Sequence, residues 1–78
     1  MEMRLKDLKP GDRAEIVGYE TSSHAYRERL LAMGLTRGTE LSLKKVAPFG
    51  DPVEVTVRGT NLSLRKKETD VLKIRRLS

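Results

Sequence analysis

The sequence predicts a mainly β domain: a small barrel of about five short strands with one α-helix near residues 24–33. Three observations support this prediction. The chain has only 78 residues, its apolar residues alternate with polar ones in several short segments, and a single stretch shows helical spacing instead. Because a closed or nearly closed barrel removes exposed strand edges, it is the expected arrangement of so many short strands.

Length and composition predict a single domain over residues 1–78. A chain of this length lies well below the size at which chains usually divide, and 37% of the residues are hydrophobic, enough to form a core. The absence of cysteine excludes disulfides, thiolate metal sites and a cysteine nucleophile. No apolar run approaches the ~20 residues of a membrane span. We therefore expect a cytoplasmic protein with neither a signal peptide nor a membrane segment.

The first predicted strand follows a tight turn. Pro10 and Gly11 suit the two central positions of a type II turn, because proline fixes φ and glycine accepts a positive φ. Residues 13–20 then include β-branched and aromatic side chains that favour an extended strand. Gly18 interrupts this strand and indicates a bulge or a bend.

One segment has the features of a helix. Hydroxyl side chains that could cap its start occur at three consecutive positions: Thr21, Ser22 and Ser23. Good helix formers continue over residues 24–33, and Gly34 suits the left-handed position after the helix. Three residues share one core-facing stripe: Tyr26, Leu30 and Met33. Leu31 points away from that stripe.

The middle of the chain predicts a strand and a stiff loop. A turn at residues 36–38 leads into a half-buried strand at 39–46, in which two leucines face the same side. Residues 47–52 contain two prolines and a glycine, which exclude regular structure and predict a loop. Phe49 lies at the tip of this loop.

The remaining strands complete the barrel. Residues 53–58 have the clearest period-two alternation, and residues 59–61 are expected to connect them to a partner strand at 62–64 in a β-hairpin. Residues 68–70 suit a single helical turn, and a last short strand is expected at 71–74. This arrangement favours an SH3-like barrel, with an OB-type barrel as the alternative.

The chain offers few groups for catalysis or metal binding. His24 is the only histidine, and a lone histidine is most often an ordinary surface residue. Neither His24 with Glu28 nor Glu68 with Asp70 reaches the usual number of metal ligands. The sequence also contains no glycine-rich phosphate-binding motif. We therefore expect no catalytic residue, no metal site built by one chain and no cofactor.

Basic residues concentrate near the end of the chain. The whole chain has 16 basic and 11 acidic residues, a net charge of +5. Residues 65–78 contain two acidic residues and six basic ones: Arg65, Lys66, Lys67, Lys73, Arg75 and Arg76. Such a face can bind lipid headgroups, acidic proteins or nucleic acid. Nucleic-acid barrels usually add aromatic residues on their strands, and only Tyr19 meets that condition, so a solvated basic face is favoured.

Two apolar residues are candidates for a protein-binding surface. Leu31 lies off the buried stripe of the helix, and Phe49 is held outward by a proline-stiffened loop at little ordering cost. The alternative is that the barrel covers Leu31 and that Phe49 folds over the barrel mouth. A proline-binding groove of SH3 type is disfavoured, because it needs several clustered aromatic residues.

Several segments match one known family in order and spacing. Residues 31–39 have the pattern L-x-x-G-L-x-x-G-T, Gly-Asp-Pro at 50–52 precedes a strand, and Leu-Arg-Lys-Lys-Glu occupies 64–68. Together with residues 25–30 and 46–49, these segments resemble the ferrous iron transport protein A family, FeoA. The resemblance covers essentially the whole chain. It departs at residues 36–37, where the family often has a proline before the glycine.

The resemblance implies both a fold and a partner. The fold would be an SH3-like barrel with an inserted helix, and the partner would be FeoB, a membrane transporter whose N-terminal region is a GTP-hydrolysing G domain. It implies no iron site on this chain. The same barrel also occurs as the C-terminal domain of metal-dependent repressors of the diphtheria toxin repressor type, but this chain has no helix-turn-helix segment.

The leading hypothesis is a noncatalytic accessory protein of ferrous iron uptake. It would bind FeoB on the cytoplasmic side, peripheral to the inner membrane, through Leu31 and Phe49, and assist assembly or gating. A second hypothesis has Arg27 or Arg29 act in trans on phosphate charge in the GTPase. The alternative from another class is a nucleic-acid-binding barrel that uses the C-terminal basic stretch. Self-association through an exposed barrel edge is compatible with the leading hypothesis.

Overall fold

A computed structural model describes residues 3–20 and 24–77, which form a five-stranded antiparallel sheet with two α-helices. In chain order the elements are a 3-10 helix at Leu5–Asp7, β1 Arg13–Tyr19, α1 His24–Ala32, β2 Glu40–Val46, β3 Val53–Val57, β4 Thr60–Leu64, α2 Lys66–Val71 and β5 Leu72–Arg76. The strand order is β4-β3-β2-β1-β5, so the last strand returns to pair with the first. The predicted mainly β, SH3-like architecture with a helix near residues 24–33 is confirmed.

The sheet curls around a core drawn from every strand. Its fully buried side chains include Leu5, Ile16, Leu30, Leu35, Leu43, Val55, Leu64, Leu72 and Ile74. The pairing of β1 with β5 shifts register between Ile16 and Gly18, which confirms the irregularity predicted at that glycine. On the edge of β5 that faces away from β1, Met3 exchanges two backbone hydrogen bonds of 2.9 Å with Ile74.

Helix α1 ends as its sequence predicts. Gly34 has a φ of +86°, and its N–H donates to the Leu31 carbonyl while the Leu35 N–H donates to the Leu30 carbonyl, both at 3.0 Å. This pair of bonds is the Schellman arrangement, which satisfies carbonyls left over at the helix end. Leu30 is buried, and Tyr26 and Met33 pack against the core as predicted. The proposed capping residues, Thr21 to Ser23, lie outside the described residues.

The hairpin between β3 and β4 is tighter than predicted. The turn consists of Arg58 and Gly59, with φ of +51° and +78°, the two positive values of a type I′ turn. Thr60 and Asn61 already belong to β4, where they pair with Val57 and Thr56. The predicted connection at residues 59–61 is therefore wrong, because a two-residue turn matches the strand twist and extends the ladder.

Helix α2 is longer than the single turn predicted at 68–70. Glu68 reaches back, and its Oε1 accepts the Arg65 N–H at 2.9 Å, while the Thr69 hydroxyl donates to the Lys66 carbonyl at 2.7 Å. These contacts satisfy backbone groups at the first turn and start the helix earlier. Val71 ends α2 and is not part of the last strand, which extends to Arg76.

Candidate partner-binding surface

The outward side of α1 carries Arg27 and Leu31. The two residues are four positions apart and therefore neighbours on the helix surface. The Leu31 side chain is 38% exposed, so the barrel does not cover it. Arg27 lies with its guanidinium carbon 5.9 Å from the centre of the Tyr19 ring, within cation–π range. This side of the helix thus combines an apolar side chain with a cation held by an aromatic ring.

Tyr19, the aromatic residue under Arg27, is the last residue of β1 and connects this strand to the segment after α1. Its hydroxyl donates a hydrogen bond to the Leu35 carbonyl, just after α1. Burial raises the pKa of the Tyr19 hydroxyl, while the positive charges of Arg27 and Arg37 act in the opposite direction. Tyr19 is therefore engaged in joining β1 to the end of α1, with Arg27 close to its ring.

Arg29 faces α2 and forms an ion pair there. Its Nε lies 3.0 Å from Oε2 of Glu68, whose side chain is only 4% exposed. The other carboxylate oxygen of Glu68 accepts the Arg65 N–H. Glu68 therefore links α1, the end of β4 and α2. Arg29 uses its Nε in this pair and its side chain is 63% exposed, so the second hypothesis, in which Arg29 acts on a phosphate in trans, would rely on its remaining N–H groups.

Phe49 is at the tip of the β2–β3 loop and is 95% exposed. The loop is braced at both ends, since the Gly50 N–H donates to the Ala47 carbonyl at 2.8 Å and the Ala47 N–H to the Pro52 carbonyl at 3.1 Å. Phe49 does not fold over the barrel mouth, which was the alternative expectation. It instead borders a cleft of about 290 Å³ that also includes Leu5, Leu8, Val46 and Val53.

The six basic residues of the C-terminal stretch fall into two groups. Arg65, Lys66 and Lys67 are at the start of α2, whereas Lys73, Arg75 and Arg76 are on β5. On β5, Arg75 pairs with Glu15, and Arg76 Nη2 lies 3.4 Å from Asp12 Oδ1. Carboxylates of β1 and the preceding turn thus compensate two charges of the second group. The first group has no ion pair among the described residues.

A cleft of about 790 Å³ separates the second half of α1 from β4 and the start of α2. We call it the α1–β4 cleft. It is lined by Arg29, Ala32, Met33, Asp51, Pro52, Ser63, Arg65 and Glu68. A second hollow shares Arg29, Asp51 and Arg65 with it and adds Tyr26, Lys66 and Lys67. The two hollows form one concave surface beside the first basic group.

Sequence reasoning did not find this cleft, because its residues come from four separate elements. One signal was present, however. Glu68 three positions after Arg65 is the spacing at which a carboxylate reaches back to cap a helix. That pattern places Glu68 at the junction of β4 and α2, although it does not reveal the contact with Arg29.

No histidine, cysteine or carboxylate group large enough to suggest a metal site occurs among residues 3–20 and 24–77. Within the same ranges, no helix is long and apolar enough to cross a membrane. His24, the only histidine, lies 3.3 Å from Glu28 on the exposed surface of α1. The features that the structure presents for function are thus surfaces: exposed apolar side chains, a basic group and a cleft.

A family model for the FeoA domain matches residues 3–76. The chain belongs to the FeoA family. This family takes part in ferrous iron transport, and the match extends over nearly the whole chain. The resemblance predicted from the sequence motifs is therefore confirmed.

Relatives of this FeoA domain include a fused protein. The Fe(2+) transport protein A/Fe(2+) transporter FeoB fusion protein of Porphyromonas gingivalis is 34% identical over 76 residues, which are 97% of this chain and 9% of that protein. The chain thus spans less than a tenth of the length of this relative. In that protein, a FeoA-like segment and a transporter are parts of one polypeptide.

Solved structures share the fold. The FeoA-like protein from Clostridium acetobutylicum has a TM-score of 0.88 and 31% identity, covering 99% of this chain and 88% of that one. FeoA from Chlorobium tepidum has a TM-score of 0.82 and 40% identity, covering 97% and 71%. A manganese-dependent transcriptional repressor has a TM-score of 0.89 at 13% identity, over 97% of this chain and 37% of the repressor. The last likeness concerns the fold alone.

Proposed function

We propose that this chain is a noncatalytic accessory protein of ferrous iron uptake that binds the membrane transporter FeoB on its cytoplasmic side and assists its assembly or gating. The observation that carries the proposal is the fused relative, in which a FeoA-like segment and FeoB occur in one polypeptide. Fusion keeps two modules at high effective concentration, an arrangement suited to modules that work in contact.

Two exposed side chains are the proposed contacts with the transporter. Leu31 and Phe49 are large apolar residues that remain open to solvent, at 38% and 95% exposure. Such residues supply binding energy when a partner buries them. Phe49 is on a loop already braced by backbone hydrogen bonds, so its burial would cost little ordering entropy.

The test is capture of detergent-solubilised FeoB by immobilised protein. We expect wild type to retain the transporter, and Leu31→Glu and Phe49→Ser to retain at least about tenfold less, the loss expected when a central apolar contact is removed. Ala25→Glu is the matched control, because it adds the same charge to an exposed position of the same helix, about 120° away from Leu31. Circular dichroism establishes that each variant is folded.

Two results would count against the proposal. If wild type retains no FeoB, the chain is not a FeoB-binding protein. If wild type and both variants retain it equally, Leu31 and Phe49 are not the interface.

Two further measurements test the other hypotheses. GTP turnover by FeoB, measured with and without this chain, separately tests the trans role of Arg27 and Arg29. Retention of single-stranded RNA or DNA that falls steeply with added salt would instead support nucleic-acid binding.

A further inference from the structure

β4 is an edge strand, and the backbone groups on its outer side have no partner strand among residues 3–20 and 24–77. It pairs with β3 on one side, and in the described sheet it has no strand on the other. The two-residue turn makes Val57 and Thr60 a hydrogen-bonded pair, and such pairs alternate along an antiparallel ladder. The N–H and C=O groups of Thr60, Leu62 and Leu64 therefore point towards β3. Those of Asn61 and Ser63 point outward.

The next backbone N–H on the outer side of β4, after those of Asn61 and Ser63, already has a carboxylate as its acceptor. Arg65 follows β4 with extended backbone, φ −78° and ψ 155°, so its N–H continues the alternation of Asn61 and Ser63. That N–H donates to Oε1 of Glu68 at 2.9 Å. A carboxylate oxygen thus sits where the carbonyl of a neighbouring strand would accept. The outward side of β4 is accessible to an acceptor, and its last N–H is satisfied by one.

The α1–β4 cleft lies beside this edge. Contacts join the region of α1 to the two ends of β4: Arg29 pairs with Glu68 of α2, just after the strand, and Gly34, just after α1, lies near the Arg58 side chain in the turn before it. Between these places the cleft opens to about 790 Å³, with Ser63 on one wall and Ala32 and Met33 on the other. A strand edge opposite a helix is the geometry in which several peptide-binding domains hold an extended chain.

The charge around the cleft selects an acidic occupant. The joined hollows include four cationic residues against two carboxylates: Arg29, Arg65, Lys66 and Lys67 against Asp51 and Glu68. Both carboxylates are already engaged, since Asp51 Oδ1 accepts the Lys66 N–H at 3.1 Å and Glu68 contacts Arg29 and Arg65. The surplus of positive charge is therefore open to an incoming acidic chain.

We propose that the α1–β4 cleft binds an extended acidic peptide segment of a partner protein, which adds to β4 as a sixth strand. Its backbone pairs with Asn61 and Ser63, and its carboxylates face Arg65 and the first turn of α2. A second copy of this chain is a poorer occupant, because pairing of two β4 edges would bring two sets of these cations together. The proposal concerns a peptide-binding activity and does not depend on the partner being FeoB.

The probe is a fluorescein-labelled eight-residue peptide that alternates glutamate and threonine, added to the full chain at low ionic strength. We expect saturable binding by fluorescence anisotropy. In amide exchange measured by NMR, the Asn61 and Ser63 amides should be protected only when the peptide is present. The same peptide with every backbone amide N-methylated keeps the charge but cannot form the strand hydrogen bonds. It should bind at least about tenfold more weakly.

Two variants separate the backbone and charge contributions. Ser63→Pro removes an outward N–H at an edge position, where proline is tolerated, and should weaken binding roughly tenfold. Arg65→Ala removes one cation and should weaken it roughly fivefold. Arg75→Ala is the matched control, since it removes a cation from β5, where Arg75 pairs with Glu15. Its binding should equal that of wild type.

Several results would overturn the proposal. Equal binding of the N-methylated peptide would show charge attraction alone, and protection of amides on β5 instead of β4 would place the site elsewhere. Full displacement by millimolar inorganic phosphate, with the Ser63 amide unprotected throughout, would reveal a simple anion site. A doubled mass in solution with Ser63 protected before peptide is added would assign the edge to a second copy.

Discussion

At the scale of single residues, the carboxylate of Glu68 joins α1, the end of β4 and α2 through two contacts. It is almost fully buried, pairs with Arg29 and accepts the Arg65 N–H. We expect Glu68→Ala to lower the free energy of unfolding by about 2 kcal/mol, since a hydrogen bond to a charged group is lost. Asp70→Ala, an exposed acidic residue of the same helix, should change it by less than about 0.5 kcal/mol. Urea unfolding measures both, and equal losses would contradict this role for Glu68.

Tyr19 should give the domain a pH dependence in alkaline solution. Burial raises its pKa, so above the ordinary value the unfolded chain loses the hydroxyl proton before the folded chain does. The stability associated with the Tyr19 hydroxyl is therefore complete below that value and declines as the pH rises through the folded-state pKa. A phenylalanine at position 19 would have no hydroxyl proton and would therefore lack this pH dependence.

Tyr19→Phe isolates this effect. At about pH 8 we expect it to cost about 1 kcal/mol, because the hydrogen bond to the Leu35 carbonyl is lost. Above about pH 10 the difference from wild type should shrink, since only wild type is losing the tyrosine contribution. Urea titrations at the two pH values make the comparison, and a difference that stays constant would contradict the raised pKa.

At the scale of elements, the end of α1 depends on the backbone of Gly34. Its φ of +86° disfavours any residue with a side chain, although an added Cβ would meet Arg58 at an ordinary 3.6 Å. We expect Gly34→Ala to lower the free energy of unfolding by about 1 kcal/mol from backbone strain alone. Gly18→Ala is the matched control: its φ is not positive and its nearest contacts are at 3.8 Å. A Gly18→Ala loss as large as that of Gly34→Ala would contradict the argument.

The elements show which signals in the sequence are reliable. Local chemistry predicted the end of α1 at Gly34 and the irregularity of β1 at Gly18, because each depends on one residue and its immediate neighbours. The prediction of the hairpin connection at residues 59–61 is wrong because Arg58 adopts a positive φ, which is uncommon for a residue with a side chain and occurs here where β3 pairs with β4. Tertiary pairing can impose a conformation that local preference does not favour.

At the scale of the whole molecule, the sequence indicated two exposed apolar residues, but neither the exposure of Val46, at 41%, nor the concave surfaces. Leu31 and Phe49 were identified by periodicity and loop chemistry, which are local properties. The α1–β4 cleft depends on the distance between α1 and β4, and on an ion pair between residues 39 positions apart, Arg29 and Glu68. Such distances follow from the packing of the entire barrel and leave no periodic signal in the chain.

The whole domain should unfold as one unit, with α1 included. Leu30 is the only fully buried residue of α1, so its side chain anchors the helix to the core, with Tyr26 and Met33 packed beside it. A domain of 78 residues has a small core and a free energy of unfolding of roughly 4–12 kcal/mol. Loss of the Leu30 side chain should therefore remove a large fraction of the free energy of unfolding.

Leu30→Ala tests this dependence. We expect it to lower the free energy of unfolding by about 3 kcal/mol, the cost of a cavity in a core that collapses only partly. Leu31→Ala removes the same atoms from the next position, where the side chain is 38% exposed, and should cost less than about 1 kcal/mol. Far-ultraviolet circular dichroism and tyrosine fluorescence should follow a single urea transition in both variants. Two separate transitions would show that α1 detaches before the barrel unfolds, and that the helix carrying Leu31 is an independent unit.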